Sequence, residues 1–363
     1  MYDYLMVGCG IYSSVFAHEC IKRNKKVLII DKRNHIGGNC YTEKRNDINI
    51  HVYGPHIFHT NSKKIWDYVN QFTEFNHYVN RPKVNYKNKL FSFPINLFTL
   101  YQLWGVKDPI EAEDILKHKR IVNDNPKNLE EWILSQVGEE IYNIFIKGYT
   151  TKQWKLHPKE LPSDIIKRLP IRLTFDDNYF NDKYQGIPVN GYTIMIQNML
   201  NGADIELGVD YFDNRDYWDN KAKYIVYTGK IDEFYDYYHG ILNYRTLKFE
   251  HEVLDIKDYQ GNALINYTDI NIPYTRIIEH KHFEFGNQDQ TIITKEYPDE
   301  WNHNKIPYYP INTQQNNVIY DKYYKLSSQN TKYIFGGRLA EYRYYDMHQV
   351  IGSALNKIEK IFT

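Results

Sequence analysis

Between Met1 and Cys40 the chain reads MYDYLMVGCGIYSSVFAHECIKRNKKVLIIDKRNHIGGNC, and no other stretch restricts the fold as much. An apolar strand from Tyr4 to Val7 runs into Gly8-Cys9-Gly10, helical patterning follows from about Ser14 to Arg23, and a second strand, Val27 to Ile30, ends on Asp31. That order is a βαβ dinucleotide-binding unit, so the expected fold is α/β with a Rossmann-like parallel sheet. Gly8 permits the tight turn off the strand, and Gly10 lets backbone approach a pyrophosphate faced by the unpaired N–H groups of the helix. Asp31 is placed to accept hydrogen bonds from a ribose. Ser13 stands where the pattern has its third glycine, and serine is small enough for close helix–strand packing.

The whole chain narrows the partners. Its 363 residues hold 45 Lys+Arg against 45 Asp+Glu, so no net field draws it to nucleic acid or an anionic membrane, and an anionic ligand needs a local cluster. Cys9, Cys20 and Cys40 show no metal-ligand spacing and read as free thiols of a reducing cytosol. The first apolar run belongs to the βαβ unit and no run is long enough to span a bilayer, so the expectation is a soluble, cytoplasmic protein. The 35 Tyr are mostly compositional bias; only clustered ones invite a functional reading.

Downstream, Lys32 to Asn39 is a basic turn closing on Gly37-Gly38, read either as an ordinary surface loop or as backbone lying flat along a bulky ligand. His56 and His59 lie in HVYGPHIFHT. Without a carboxylate or cysteine at ligand spacing, this is a rigid loop against a cofactor or substrate and not a metal site. Residues 76–93 alternate like paired strands. From Asn96 to about Lys167 the periodicity is helical, an insertion containing FIKGYTTKQW, then ELP and KRLPIR. Arg168 falls near a helix end, where most Lys-Arg pairs are a solvated basic face. Asp204 to Val209 and Lys223 to Thr228 are short strands expected to rejoin the first sheet, and Tyr244 to Lys295 alternates as an antiparallel sheet. A strand at Tyr333, the pair Gly336-Gly337 and a helix capped by Asp346 supply a second dipole end.

Taken in order, YGPHIFHT, KGYTTKQW, ELP, KRLPIR, DDNYF, IPYTRIIEHK, KEYP, PYYPI and GGRLAEYRYYDM resemble the UDP-galactopyranose mutase family of bacterial flavoenzymes over essentially the whole chain. The resemblance implies an isomerase that interconverts UDP-galactopyranose and UDP-galactofuranose for cell-surface glycans, without net redox change but with FAD reduced. In that family N5 of the reduced flavin is thought to attack the anomeric carbon, displace UDP and form a covalent adduct that opens and recloses. The resemblance assigns Arg168, on a mobile loop, and Arg276 to the diphosphate, with His59 beside the reacting sugar. It places Tyr149, Tyr179, Tyr309 and Tyr344 on the diphosphate and Phe145, Trp154 and Asn178 along the uridine and sugar pocket. Asp346 and Arg338 fall near flavin and sugar. The flavin would be held by Gly8, Gly10, Ser13, Asp31, Lys32, Gly38, Asn39, His56, Val209, Gly337, Arg338, Asp346 and Met347, with no metal. Histidine at 59, where a relative accepting the N-acetylated sugar has arginine, favours plain UDP-galactose. A homodimer is implied as well.

The expected domains are a discontinuous FAD-binding domain (1–75, 190–243 and 318–363), a helical insertion (96–172) and an antiparallel sheet domain (76–95, 173–189 and 244–317). Two other readings compete. A flavin oxidoreductase of the amine-oxidase type shares the two glycine regions without needing the arginines and tyrosines. A GDP-dissociation-inhibitor-like protein shares the fold but binds proteins.

Overall fold

The structure is a computed structural model that describes residues 1–363 except Arg168, and of Asp164 the backbone alone. Its first sheet is parallel throughout, in the spatial order Tyr333–Phe335, Ala222–Tyr227, Tyr2–Val7, Val27–Asp31, Asp204–Leu207. Strands from three distant parts of the sequence thus rejoin the βαβ unit, as the alternation at 204–209 and 223–228 predicts. The two strands of the βαβ unit are covered on both faces, which explains their apolar runs, whereas the edge strand Asp204–Leu207 is exposed along its length. Tyr4, Met6 and Ile29 pack under the helices Ile11–Ile21 and Met347–Phe362, whereas Leu5, Leu28 and Ile30 pack against Trp218, Tyr227 and Phe234.

The register decides where chemistry can sit. Val7 pairs with both Ile30 and Tyr227, and Tyr227 with Phe335, so Gly8, Asp31, Thr228 and Gly336 gather at one carboxyl edge of the sheet. That edge is where open α/β sheets bind ligands. The helix after the first strand begins at Ile11, with Gly10 as its N-cap, three residues earlier than the periodicity predicts. The early start has a physical cause: the glycine turn feeds the helix directly, so its first turn lies at the strand end.

The second sheet has seven strands in the order Tyr309–Pro310, Tyr244–Leu254, Thr291–Asp299, Arg276–Glu279, Leu264–Tyr267, Lys83–Tyr86, Lys89–Ser92. It is antiparallel except where Leu264–Tyr267 runs parallel to Lys83–Tyr86. Those two strands come from segments separated by the helical insertion, so no hairpin dictates their direction.

The insertion forms the expected helices, each started by a polar cap: Asn96 before Leu97–Trp104, Asp108 before Pro109–Lys119, Asn128 before Leu129–Ile141. Leu100, Leu116, Ile133, Val137 and Ile141 form their fully buried seam. The chain then widens into a π-helical turn, Tyr142–Lys147, before the helix Gly148–Trp154. Such turns rotate the side chains that follow, and this one carries Phe145 into the interior while aiming Tyr149 toward the second sheet. Among the described residues, no helix is long and apolar enough to cross a membrane.

Candidate active site

Two clefts meet at the junction of the sheets. The first, of about 420 Å³, follows the carboxyl edge of the parallel sheet and is lined by Gly8, Gly10, Asp31, Lys32, Gly38, Val209 and Gly337 among others. Glycine backbone forms part of its wall. Gly8 has φ +100°, and a Cβ there would meet Thr228 Oγ1 at 2.3 Å, so the turn accepts only glycine. Gly10 differs: a Cβ on it would meet nothing within 4 Å, because its face is open to the cleft. No side chain caps the helix that starts there, so its first-turn N–H groups remain available to an anion. Asp31 binds the two loops together, accepting the Cys9 N–H at 2.7 Å and the Arg33 N–H at 2.8 Å. Arg33 lays its guanidinium 4.5 Å from the Tyr53 ring centroid and donates to Asn39 Oδ1, while its buried second amino nitrogen has no protein partner. A dinucleotide fits these features. Bare glycine backbone suits a diphosphate, and a guanidinium with one unpartnered nitrogen lies on the same lining.

The second cleft, of about 530 Å³, lies between the helical insertion and the antiparallel sheet. Its cationic centre is Arg276, which donates to Tyr149 Oη at 2.6 Å and lies 3.3 Å from the Glu296 carboxylate. Burial works against the guanidinium charge, but Glu296, only 2% exposed, together with Tyr149 and Tyr309 outweighs it and holds the arginine protonated. Burial likewise raises the Tyr149 phenol above its ordinary value, so it stays a neutral donor. On the facing wall the Tyr309 and Tyr344 rings stack at 5.0 Å, with the Arg338 guanidinium 5.5 and 5.6 Å from their centroids. Arg338 is fixed by the carbonyls of Tyr308 and Tyr345. Trp154 closes one end, its carbonyl held by Arg245. The buried Gln153 Oε1 and Thr268 Oγ1, both on the lining, have no protein partner and suit a polar ligand.

The clefts share Asn39, His56, Arg338 and Met347. Burial pushes the His56 ring down to about 4, so it is neutral near pH 7. Its Nδ1 faces the Gly54 carbonyl at 2.8 Å and must carry the proton, which leaves Nε2 as an acceptor. His59 goes elsewhere: its Nδ1 meets Asp182 Oδ2 at 2.5 Å and its ring stacks on Phe180 at 3.7 Å. The two histidines therefore use different partners.

Most residues singled out from the sequence converge on the clefts. Phe145, Tyr149, Trp154, Tyr179, Arg276, Tyr309, Tyr344, Asp346 and His59 line the second. Three do not follow. Ser13 is completely buried beneath the turn, its Oγ unpartnered, and does not reach the first cleft. Asp346, expected near both flavin and sugar, lines the second cleft only. Asn178 accepts a bond from Arg81 Nε at 3.2 Å and lies off the lining. Arg168 lies outside the described residues. Sequence reasoning gave no role to Glu296, Asp182, Phe180, Gln153 or Arg33. Glu296 sits in the KEYP motif, which signals its presence but not its partner 20 residues away.

Fold and clefts define a class: a Rossmann-like dinucleotide-binding protein whose cofactor cleft opens onto a second, arginine- and tyrosine-lined cleft for an anionic substrate. Comparison with known proteins narrows this. Residues 144–344 match the family profile described as UDP-galactopyranose mutase, and residues 6–72 match the NAD(P)-binding Rossmann-like domain. The chain is 41% identical to a dTDP-fucopyranose mutase of Escherichia coli over 97% of its own length and 96% of the relative's. It is also 41% identical to a protein of Klebsiella pneumoniae named "Probable UDP-galactopyranose mutase", over 99% and 94%. A crystal structure of reduced UDP-galactopyranose mutase superposes with a TM-score of 0.75 at 13% identity, covering 100% of this chain and 96% of that one, and so shares its fold. The chain belongs to the UDP-galactopyranose mutase family.

Proposed function

We propose that this protein interconverts UDP-galactopyranose and UDP-galactofuranose, with no net redox change and with reduced FAD in the glycine-lined cleft. The observation that carries the reading is the Arg276–Tyr149–Glu296 group, a desolvated cation with a neutral donor beside it, in a cleft that shares a wall with the cofactor cleft. Backbone at Gly8, Gly10, Gly38 and Gly337, together with Asp31, Lys32, Asn39 and Val209, would hold the FAD. When bound and reduced, FAD supplies a nucleophilic nitrogen for the anomeric carbon of the sugar.

The chain's own groups do the rest. Arg276 and Tyr149 bind the diphosphate and stabilise the charge it gains as the sugar leaves, with Arg168 as their partner in that clamp. Tyr309 and Tyr344 add hydroxyl donors. Trp154 and Phe145 wall the nucleoside end, and His56 offers an acceptor, Nε2, where the clefts join. Product furanose serves galactofuranose-containing glycans. The partition into an FAD-binding domain, a helical insertion and a sheet domain, at the boundaries given above, belongs to the same reading.

The test is a product assay: chemically reduced protein is incubated with UDP-galactofuranose, and UDP-galactopyranose is measured. No conversion under reducing conditions sinks the proposal. Because the Escherichia coli relative is named for a dTDP-fucose substrate, the assay is run in parallel with dTDP-fucofuranose. Faster conversion of that substrate assigns the chain to the dTDP-sugar branch.

A further inference from the structure

Lys152 is 6% exposed, on the helix Gly148–Trp154, and its ammonium group is used in an unusual way. Nζ lies 2.7 Å from the Tyr267 carbonyl oxygen, 2.9 Å from that of Asp269, 3.0 Å from that of Ile272 and 2.9 Å from that of Tyr274. Four carbonyls converge on one cation, as they do around a bound monovalent ion. Three belong to the connection between the strands Leu264–Tyr267 and Arg276–Glu279, and the fourth, that of Tyr267, to the residue that leads into it.

One helical turn before Lys152, and so on the same face, Gly148 touches that connection too: a Cβ there would meet the Thr268 carbonyl oxygen at 2.1 Å. The helix is therefore docked by a close backbone contact at one end and a tethered cation at the other. Between them projects Tyr149, and one residue after the connection comes Arg276. The 2.6 Å bond between these two spans 127 residues of sequence and depends on how the helix sits on the connection.

We infer that Lys152 is a positioning residue, a covalently attached cation whose carbonyl cage sets the helix Gly148–Trp154 against the strand of Arg276 and so assembles the diphosphate clamp. The inference rests on reading this cleft as a diphosphate site. Its burial in a polar cage, away from the cleft lining, separates it from the residues that would touch substrate.

The experiment measures binding of UDP to the flavin-loaded protein by calorimetry, and turnover of the reduced protein, for wild type and Lys152→Ala. Ammonium chloride is added against choline chloride at equal ionic strength. In Lys152→Ala, UDP affinity and kcat/KM fall by about tenfold, the loss of a charged hydrogen-bonding group, while flavin content is unchanged. Ammonium, small enough for the emptied cage, restores affinity in Lys152→Ala and does nothing to wild type. Unchanged UDP affinity in the variant overturns the inference, and so does a loss that ammonium leaves untouched, which a merely structural role would produce. If Lys152→Ala does not fold, Gly148→Ala decides: weaker UDP binding with flavin retained supports helix docking as the determinant, and wild-type binding refutes it. Wild-type protein that binds no UDP defeats the diphosphate reading itself, a result distinct from a variant that binds as well as wild type.

Discussion

The two clefts are built on opposite plans. The cofactor cleft has glycines from short stretches at strand ends in its wall, Gly8, Gly10, Gly38 and Gly337, which leave backbone bare to a ligand. The substrate cleft is made of side chains whose working positions depend on tertiary contacts, such as Arg276 with Tyr149 and His59 with Asp182, 127 and 123 residues apart. A cleft of the first kind should fail when something is added, and one of the second kind when something is removed.

The largest test of that contrast is Arg276→Ala. It removes the clamp's cation and leaves Glu296 buried without its charge partner, so turnover should fall by about 10³-fold or more, with flavin content close to wild type. Loss of flavin instead would break the separation of roles. Arg168→Ala is expected to abolish turnover in the same flavin-retaining way.

Two substitutions probe the other cleft. Asp31→Ala removes the acceptor for both the Cys9 and Arg33 N–H groups and should lower flavin retention after gel filtration by about tenfold, given one or two lost charged hydrogen bonds. Gly10→Ala is sharper. The protein has room for the methyl group and φ is −91°, so the flavin-free melting temperature should move by no more than about 2 °C. Flavin affinity should nevertheless drop, because the added atom occupies the ligand's side. Unchanged affinity would show that the open face of Gly10 is not where the cofactor lies.

Tyr149→Phe takes away a single donor and should lower kcat/KM by about five- to tenfold, with part of the loss in kcat. The smallest effect expected is on pH dependence of stability at the wall between the clefts. Burial holds His56 at about 4 and His51 at about 3, both below the free value of 6.5. The unfolded chain therefore takes up protons first as pH falls below about 6.5, and stability declines on acidification through that window, down to about 4 for His56 and about 3 for His51. Melting temperatures at pH 7 and pH 5 should differ less in His51→Gln than in wild type; equal differences would contradict the burial argument.

The same contrast explains what could be read from the sequence. The parallel sheet was legible because each requirement is local: an apolar strand, a glycine where φ must be positive, an acid at the next strand end. The insertion's helices announced themselves through their periodicity, and the structure adds Asn96, Asp108 and Asn128 as their caps. Tyr149 and Arg276 came from resemblance to a family, and nothing in their spacing shows that they touch. Glu296 looked like any strand glutamate, since its meaning lies in the register that sets it opposite Arg276. Lys152 was hidden by its neighbours: a lysine in a run with Thr151 and Gln153 reads as a solvated charge until four distant carbonyls are brought to it. Ser13 packs closely as its small size allows, and Asn178, which came from the resemblance, turns to Arg81, a partner that only the fold reveals.

The wall made of Asn39, His56, Arg338 and Met347 belongs to both clefts at once. A molecule in either cleft therefore has these four side chains within its wall, and any coupling between the two sites would pass through them. Such coupling runs equally in both directions. Whatever factor the cofactor adds to substrate affinity, substrate returns to cofactor affinity, and a nucleotide sugar in excess should tighten flavin binding by the same free energy that flavin lends to its own.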